Sequence, residues 1–172
     1  GVGMGITGTD VTKNVADMIL ADDNFATIVS AVEEGRRIYS NIRKSIQFLL
    51  ATNISEVLSI LIATILNFTI LKPAHLLWIN LITDSLPALA LGMEEGEGDA
   101  MKQKPRSARE GVFAGGMDVD IIYQGAVTTF LVLTAYFVGE FIETGQWHIV
   151  ASNDGITMAF LTMSMCEIFH SF

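Results

Sequence analysis

The run AHLLWINLITDSLPALALG (74–92) is about as long as the roughly 20 residues that cross a bilayer, yet it carries a carboxylate, Asp84, inside it. An ionisable group at that depth costs about 3 kcal/mol or more and is rarely found there without a partner. Asn80 and Thr83 precede Asp84 at positions i and i+3 of an i, i+3, i+4 set, so a regular helix stacks three oxygen-bearing side chains on one face. Such a face, buried in a membrane, is expected to receive a cation. Pro87 removes a backbone donor and clashes with the carbonyl of residue 83, which predicts a loosened helix there. Loosened turns at membrane depth are tolerated where they line a site or cavity.

Three more apolar runs accompany this one, giving expected spans at about 46–71, 74–92, 119–142 and 155–172. The chain of 172 residues is 51% hydrophobic but still holds 19 acidic and 10 basic residues, so its charges must be segregated into loops. The net charge of −9 argues against a nucleic-acid partner, which requires a basic face. A single cysteine, Cys166, excludes an internal disulfide. Lys and Arg set the orientation: Arg36, Arg37, Arg43 and Lys44 precede the first span, and Lys102, Lys104, Arg106 and Arg109 fill the loop 93–118. Both segments are therefore expected on the cytoplasmic side, with the two short turns outside. Trp78 and Trp147 fall near the outer ends, where interfacial aromatics are expected.

Upstream of the spans, residues 1–23 read as strand–helix–strand, and a helix capped by Asp23 or Asn24 runs from there toward the membrane as a stalk over 24–45. The expected fold is mainly α: a polytopic transmembrane helical bundle of about four spans with a small α/β piece at the N-terminus. Neither end carries a signal peptide or a natural stop, so the chain reads as part of a longer polypeptide.

The first span contributes Asn53 and Glu56, which share a face, and the last contributes Glu167. With Asn80, Thr83 and Asp84 they offer carboxylates, amide carbonyls and a hydroxyl, a donor set that suits calcium, which takes six to eight oxygens. Thiol and imidazole clusters are missing from this set, which disfavours zinc and copper. Gly3-Met4-Gly5-Ile6-Thr7-Gly8 matches GxGxxG but lacks a full preceding strand, so a turn at a domain edge is the better reading. The acidic residues Glu94, Glu95, Glu97 and Asp99 lack EF-hand spacing and read as a solvated loop. His75, His148 and His170 are isolated, and no nucleophile–base pair can be assembled, so neither catalytic nor cofactor-binding residues are expected.

ADDNFATIVSAVEEGRRIYSNIRKSIQFLLATNISEV, followed by LLWINLITDSLPALALGME and DAMKQKPR, resembles the P-type cation-transporting ATPases of the calcium-pump branch, sarco/endoplasmic-reticulum type. The likeness covers essentially the whole chain. It implies that 1–23 end the cytoplasmic phosphorylation domain, 24–45 form the stalk, and 46–172 supply the fifth to eighth of ten spans. It also implies roles. Asn53, Glu56, Thr83, Asp84 and Glu167 surround one calcium; Asn80 and Asp84 help hold a second, giving two ions per cycle. ATP and magnesium act in the full-length protein, on a phosphorylated aspartate and a nucleotide-binding domain that this chain lacks, so the fragment alone is expected to be inactive. The loop around Asp99, Lys104, Pro105 and Arg106 is expected to dock on the phosphorylation domain. The implied partners are membrane lipid, calcium ions and the missing domains of the same polypeptide. A short, cysteine-free outer turn at 143–154 suggests a bacterial plasma membrane. A pump for manganese or another hard cation, and a passive channel or ion-binding membrane protein, remain the alternatives.

Overall fold

The structure, a computed structural model, describes residues 1–95, 100–102, 104–105, 111–147, 149 and 151–172. Glu97, Asp99, Arg106, Arg109 and His148, named above, lie outside the described residues. Two compact units are formed, one from Gly1–Ser40 with Glu95–Arg106, the other from Asn41–Glu94 with Ser107–Phe172.

In the first unit, β1 (Val2–Met4) and β2 (Met18–Leu20) pair in parallel, with Val2 opposite Met18 and Met4 opposite Leu20, and α1 (Asp10–Val15) makes the crossover. Thr9 caps α1 by accepting the amide of Thr12 at 3.3 Å. The glycine pattern has a packing cause: a Cβ on Gly8 would sit 2.0 Å from the Met4 carbonyl oxygen, and one on Gly5 2.6 Å from that of Leu20. After β2 the backbone turns through Asp23 at φ 51°, a left-handed conformation that Asp tolerates better than most residues. Its carboxylate accepts the amides of Ile6 (2.9 Å) and Thr7 (2.7 Å) and the Thr7 hydroxyl (2.7 Å). Asn24 takes the capping role, its Oδ1 accepting the amide of Ala26 at 3.0 Å at the start of α2 (Ala26–Ile65). A short 3₁₀ turn covers Ala100–Lys102.

The second unit is helical. It takes in α2 from Asn41 onward, then α3 (Pro73–Trp78), a π-helical segment (Ile79–Asp84) and α4 (Ser85–Gly92) as one continuous rod, then α5 (Met117–Thr144) and α6 (Asn153–His170). Three stretches are long and apolar enough to cross a membrane: Ala26–Ile65, Pro73–Gly92 and Met117–Thr144. The fourth expected span is the helix α6, whose apolar run is broken by Asp154, Glu167 and His170.

The first span ends earlier than the apolar run suggests. Asn67 adopts φ 62°, the Phe68 amide bonds back to Ala63 at 2.9 Å and the Asn67 amide to Thr64 at 3.1 Å, a Schellman closure that stops α2 at Ile65. The apolar residues beyond it, Phe68, Ile70 and Leu71, fold back into the core with Ala63, Ile79, Val132, Tyr136, Ile156, Ala159 and Met163. α5 and α6 form the most extensive helix pair, brought together where a Cβ on Gly139 would lie 2.8 Å from the Gly155 Cα. α2 meets α5 at Gly125, where a Cβ would lie 2.6 Å from Ile54. At its other end α2 is tied to the rod and to the segment before α5. Asn41 donates to the Glu94 carbonyl (2.8 Å), Ser45 to the Ala88 carbonyl (3.1 Å) and Arg43 to the Ala114 carbonyl (2.5 Å). Lys44 pairs with Glu94 at 2.8 Å on the surface, a contact of small energetic weight.

Candidate cation site

Three carboxylates from three elements converge within the second unit. Glu56 comes from α2, Asp84 from the end of the π segment and Glu167 from α6; they are 6%, 2% and 1% exposed. Each lies within electrostatic range of the other two. Bringing like charges together in a low-dielectric interior is unfavourable unless something neutralises them.

The polar contacts around them are few. Asn80 donates its Nδ2 to both Glu56 oxygens, at 3.0 and 3.2 Å, and to the Leu76 carbonyl at 2.9 Å. Thr83 places its hydroxyl 2.6 Å from Glu167 Oε2 and 2.9 Å from the Ile79 carbonyl; with one proton it can donate fully to only one of them. Glu167 Oε1 and both Asp84 oxygens are buried with no hydrogen-bond partner among the described residues. Thr52 on α2 is the hydroxyl that bears on Asp84, and it also donates to its own helix at the Leu49 carbonyl, 3.1 Å away. Buried carboxylate oxygens normally have partners, so Asp84 stands out as an acceptor without a donor.

Two expectations change. Thr83 and Asp84 are buried, whereas Asn80 is exposed on the rod and reaches Glu56 of the same cluster. The π segment alters the expected stacking, since its wider turn swings the i+3 position away from the i, i+4 pair. Pro87 pointed to a loosened turn before it, and that turn takes the form of a π-helix, with the Ser85 hydroxyl donating to the Asn80 carbonyl at 2.9 Å. Asn53, expected beside Glu56, is exposed and donates to the Leu49 carbonyl at 2.6 Å, away from the cluster. Among the described residues, no three carboxylate, imidazole or thiol groups stand close enough to clasp one metal ion. Glu56 is engaged by Asn80 and Glu167 Oε2 by Thr83, whereas Glu167 Oε1 and both Asp84 oxygens are left open to an ion by the described residues.

Small hydroxyls that the sequence did not single out also line this region. Ser59 and Ser164 are buried with unpartnered hydroxyls, each three residues from a cluster carboxylate on the same helix face (Glu56 and Glu167). That spacing was the available signal. His75 and His170 stay outside the cluster, stacking on Phe160 (4.6 Å) and Phe48 (5.9 Å).

Residues 68–172 match the family model described as "Cation transporting ATPase, C-terminus". The whole chain is 46% identical to "Calcium-transporting ATPase 1" of Bacillus cereus, covering 20% of that protein. It is 45% identical to "Calcium-transporting ATPase" of Bacillus subtilis, again over the whole chain and covering 19% of the relative. Over 67% of its length it is 49% identical to "Calcium-transporting ATPase 3, endoplasmic reticulum-type" of Arabidopsis thaliana, covering 12% of that protein. The chain thus spans about a fifth of the length of the bacterial relatives it matches.

Proposed function

The chain belongs to the cation-transporting ATPase family, being an integral, multi-pass membrane protein that matches the family's C-terminal region, and on that premise we propose that it supplies most of the intramembrane ion site of an ATP-driven calcium pump. The observation that carries this reading is the convergence of Glu56, Asp84 and Glu167 from three helices, with the Asp84 oxygens left without donors. Three carboxylates, the Thr83 hydroxyl and the Asn80 amide oxygen amount to the oxygen-rich, flexible shell that calcium takes. The Asn53 bond to the Leu49 carbonyl engages only its Nδ2, which leaves Oδ1 as a further oxygen for that shell. The names of the relatives point to the same ion.

In this reading residues 1–23 close the phosphorylation domain, 24–45 are the stalk and 46–172 the membrane part. ATP and magnesium are used by portions of the full-length protein outside this chain, so the chain alone hydrolyses no ATP. Coupling requires the ion to bind two conformations with different affinity. Phosphorylation shifts α2, and α2 carries Glu56 directly and grips the rod through Asn41 and Ser45, so its movement alters the cage. Calcium bound in the cluster replaces the Asn80–Glu56 and Thr83–Glu167 contacts; on release these contacts re-form and hold the carboxylates apart from solvent.

The test is calcium-dependent phosphorylation of the full-length protein by ATP. Asp84→Asn keeps the shape but removes the charge shared by the cluster, and is expected to abolish the calcium dependence, a loss of at least about 100-fold in calcium affinity for a buried ligand charge. Unaltered calcium dependence in that variant would falsify the site.

A further inference from the structure

The third long helix holds a carboxylate that the cluster around Asp84 does not use. Glu140 is 0% exposed, and among the described residues neither of its oxygens has a hydrogen-bond partner. It lies one turn from the end of α5, beside the Gly139–Gly155 contact with α6. From Gly155 to Glu167 is about 18 Å of helix rise, and the α6 side chains Ile156, Ala159 and Met163 in that interval belong to the apolar core. Glu140 is therefore separate from the first cluster.

A chain of polar contacts runs beside it. The phenol of Tyr136, one turn back on α5, is within electrostatic reach of both Glu140 and Glu143 and accepts the Ser152 amide at 3.3 Å. Ser152, itself 2% exposed, donates its hydroxyl to Glu143 Oε2 at 2.5 Å, and the same oxygen accepts the Asp154 amide at 3.2 Å. A carboxylate buried in this way needs a counter-charge. Among the described residues, no ion pair involves Glu140 or Glu143.

We propose that Glu140 and Glu143, with the Tyr136 hydroxyl and Ser152 Oγ, form a second site for a hard, oxygen-seeking cation of the calcium class at the α5–α6 end of the bundle. The choice of ion rests on the transport reading above; the geometry does not. Terbium(III) takes calcium's ligands and luminesces when a neighbouring Tyr or Trp is excited. Tyr136 is in the cluster, and Trp147 stacks on Phe141 at 4.7 Å just beyond it.

The experiment titrates terbium into the full-length protein in nanodiscs, where both faces are open to the ion. The wild type is expected to fill two sensitised classes of site. Glu140→Gln weakens one of them by about tenfold or more and spares the class that Asp84→Asn removes. An unchanged titration in Glu140→Gln overturns the proposal. Should Glu140→Gln lose both classes through misfolding, the exposed Glu143→Gln decides: it must weaken the Glu140 class alone, and an unaltered titration again overturns the site. If Asp84→Asn changes nothing while Glu140→Gln removes a class, the second site stands and the transport-site reading falls.

Discussion

At the scale of single residues, Asp23 shows how one side chain can fix a turn. The amide of Ile6 and then the hydroxyl of Thr7 hold its carboxyl at about 2, down from 3.8. A carboxylate depressed on folding stabilises the folded state fully above its unfolded value and loses that contribution as pH falls through its folded value. The glycine-rich segment is thus expected to come loose between pH 3.8 and about 2. Hydrogen exchange of the Ile6 and Thr7 amides measures this: protection should drop across that interval in the wild type and stay flat in Asp23→Asn. Constancy in the wild type would mean that the bonds to Asp23 are not what closes the turn. Residue-scale detail was only partly legible in the sequence. Asp84 announced itself, because a charge in an apolar run has few explanations. The outward turn of Asn53 did not, because its i−4 carbonyl competes for the same amide and no pattern reveals which acceptor wins.

At the scale of elements, glycines act in opposite directions. A Cβ on Gly139 would meet backbone atoms, the Gly155 Cα at 2.8 Å and the Asp154 carbonyl oxygen at 2.9 Å, and backbone cannot step aside as a side chain can. Gly35, in the middle of α2, has nothing within 4 Å of its virtual Cβ. Gly139→Ala is therefore expected to destabilise the protein by about 1–3 kcal/mol through overpacking, whereas Gly35→Ala stabilises by about 0.5–1 kcal/mol by lowering unfolded-chain entropy. Thermal unfolding in detergent distinguishes them by the sign of the shift in Tm. The existence of the helices was readable from run length and hydropathy. Their ends were not: the apolar run to Leu71 looks continuous, and the stop at Ile65 depends on Asn67 taking a left-handed turn that Asn permits but does not announce. Pro87 marked the loosened stretch, but whether a turn widens to π or frays is decided by packing against α2 and α6.

At the scale of the whole molecule, the charge distribution makes a claim about sidedness. Ten Lys and Arg residues lie before residue 110, and none after it, which predicts the segment before α5 on the cytoplasmic side and the α5–α6 turn outside. Labelling a cysteine introduced as Glu95→Cys should succeed only from the cytoplasmic face, and one introduced as Gln146→Cys only from the outer face, with Cys166 replaced in both. The reverse pattern would invert the bundle. The N-terminal α/β piece was legible because short apolar runs and glycines bracket a polar helix. Convergence of Glu56, Asp84 and Glu167 was not derivable from helix periodicity, since it depends on how α2, the rod and α6 lean on one another.

The π segment also has a mechanical meaning. A π turn carries one residue more than the α turn it replaces, so the rod stores a surplus residue between Trp78 and Ser85. Regularising that turn winds the surplus in, rotating α4 by about 100° and displacing it by about 1.5 Å along its axis relative to α3. Such a twist would unseat the Ala88 carbonyl from Ser45 while α3 keeps its place. The rod is built like a screw with one thread held back, and Asp84 sits on that thread.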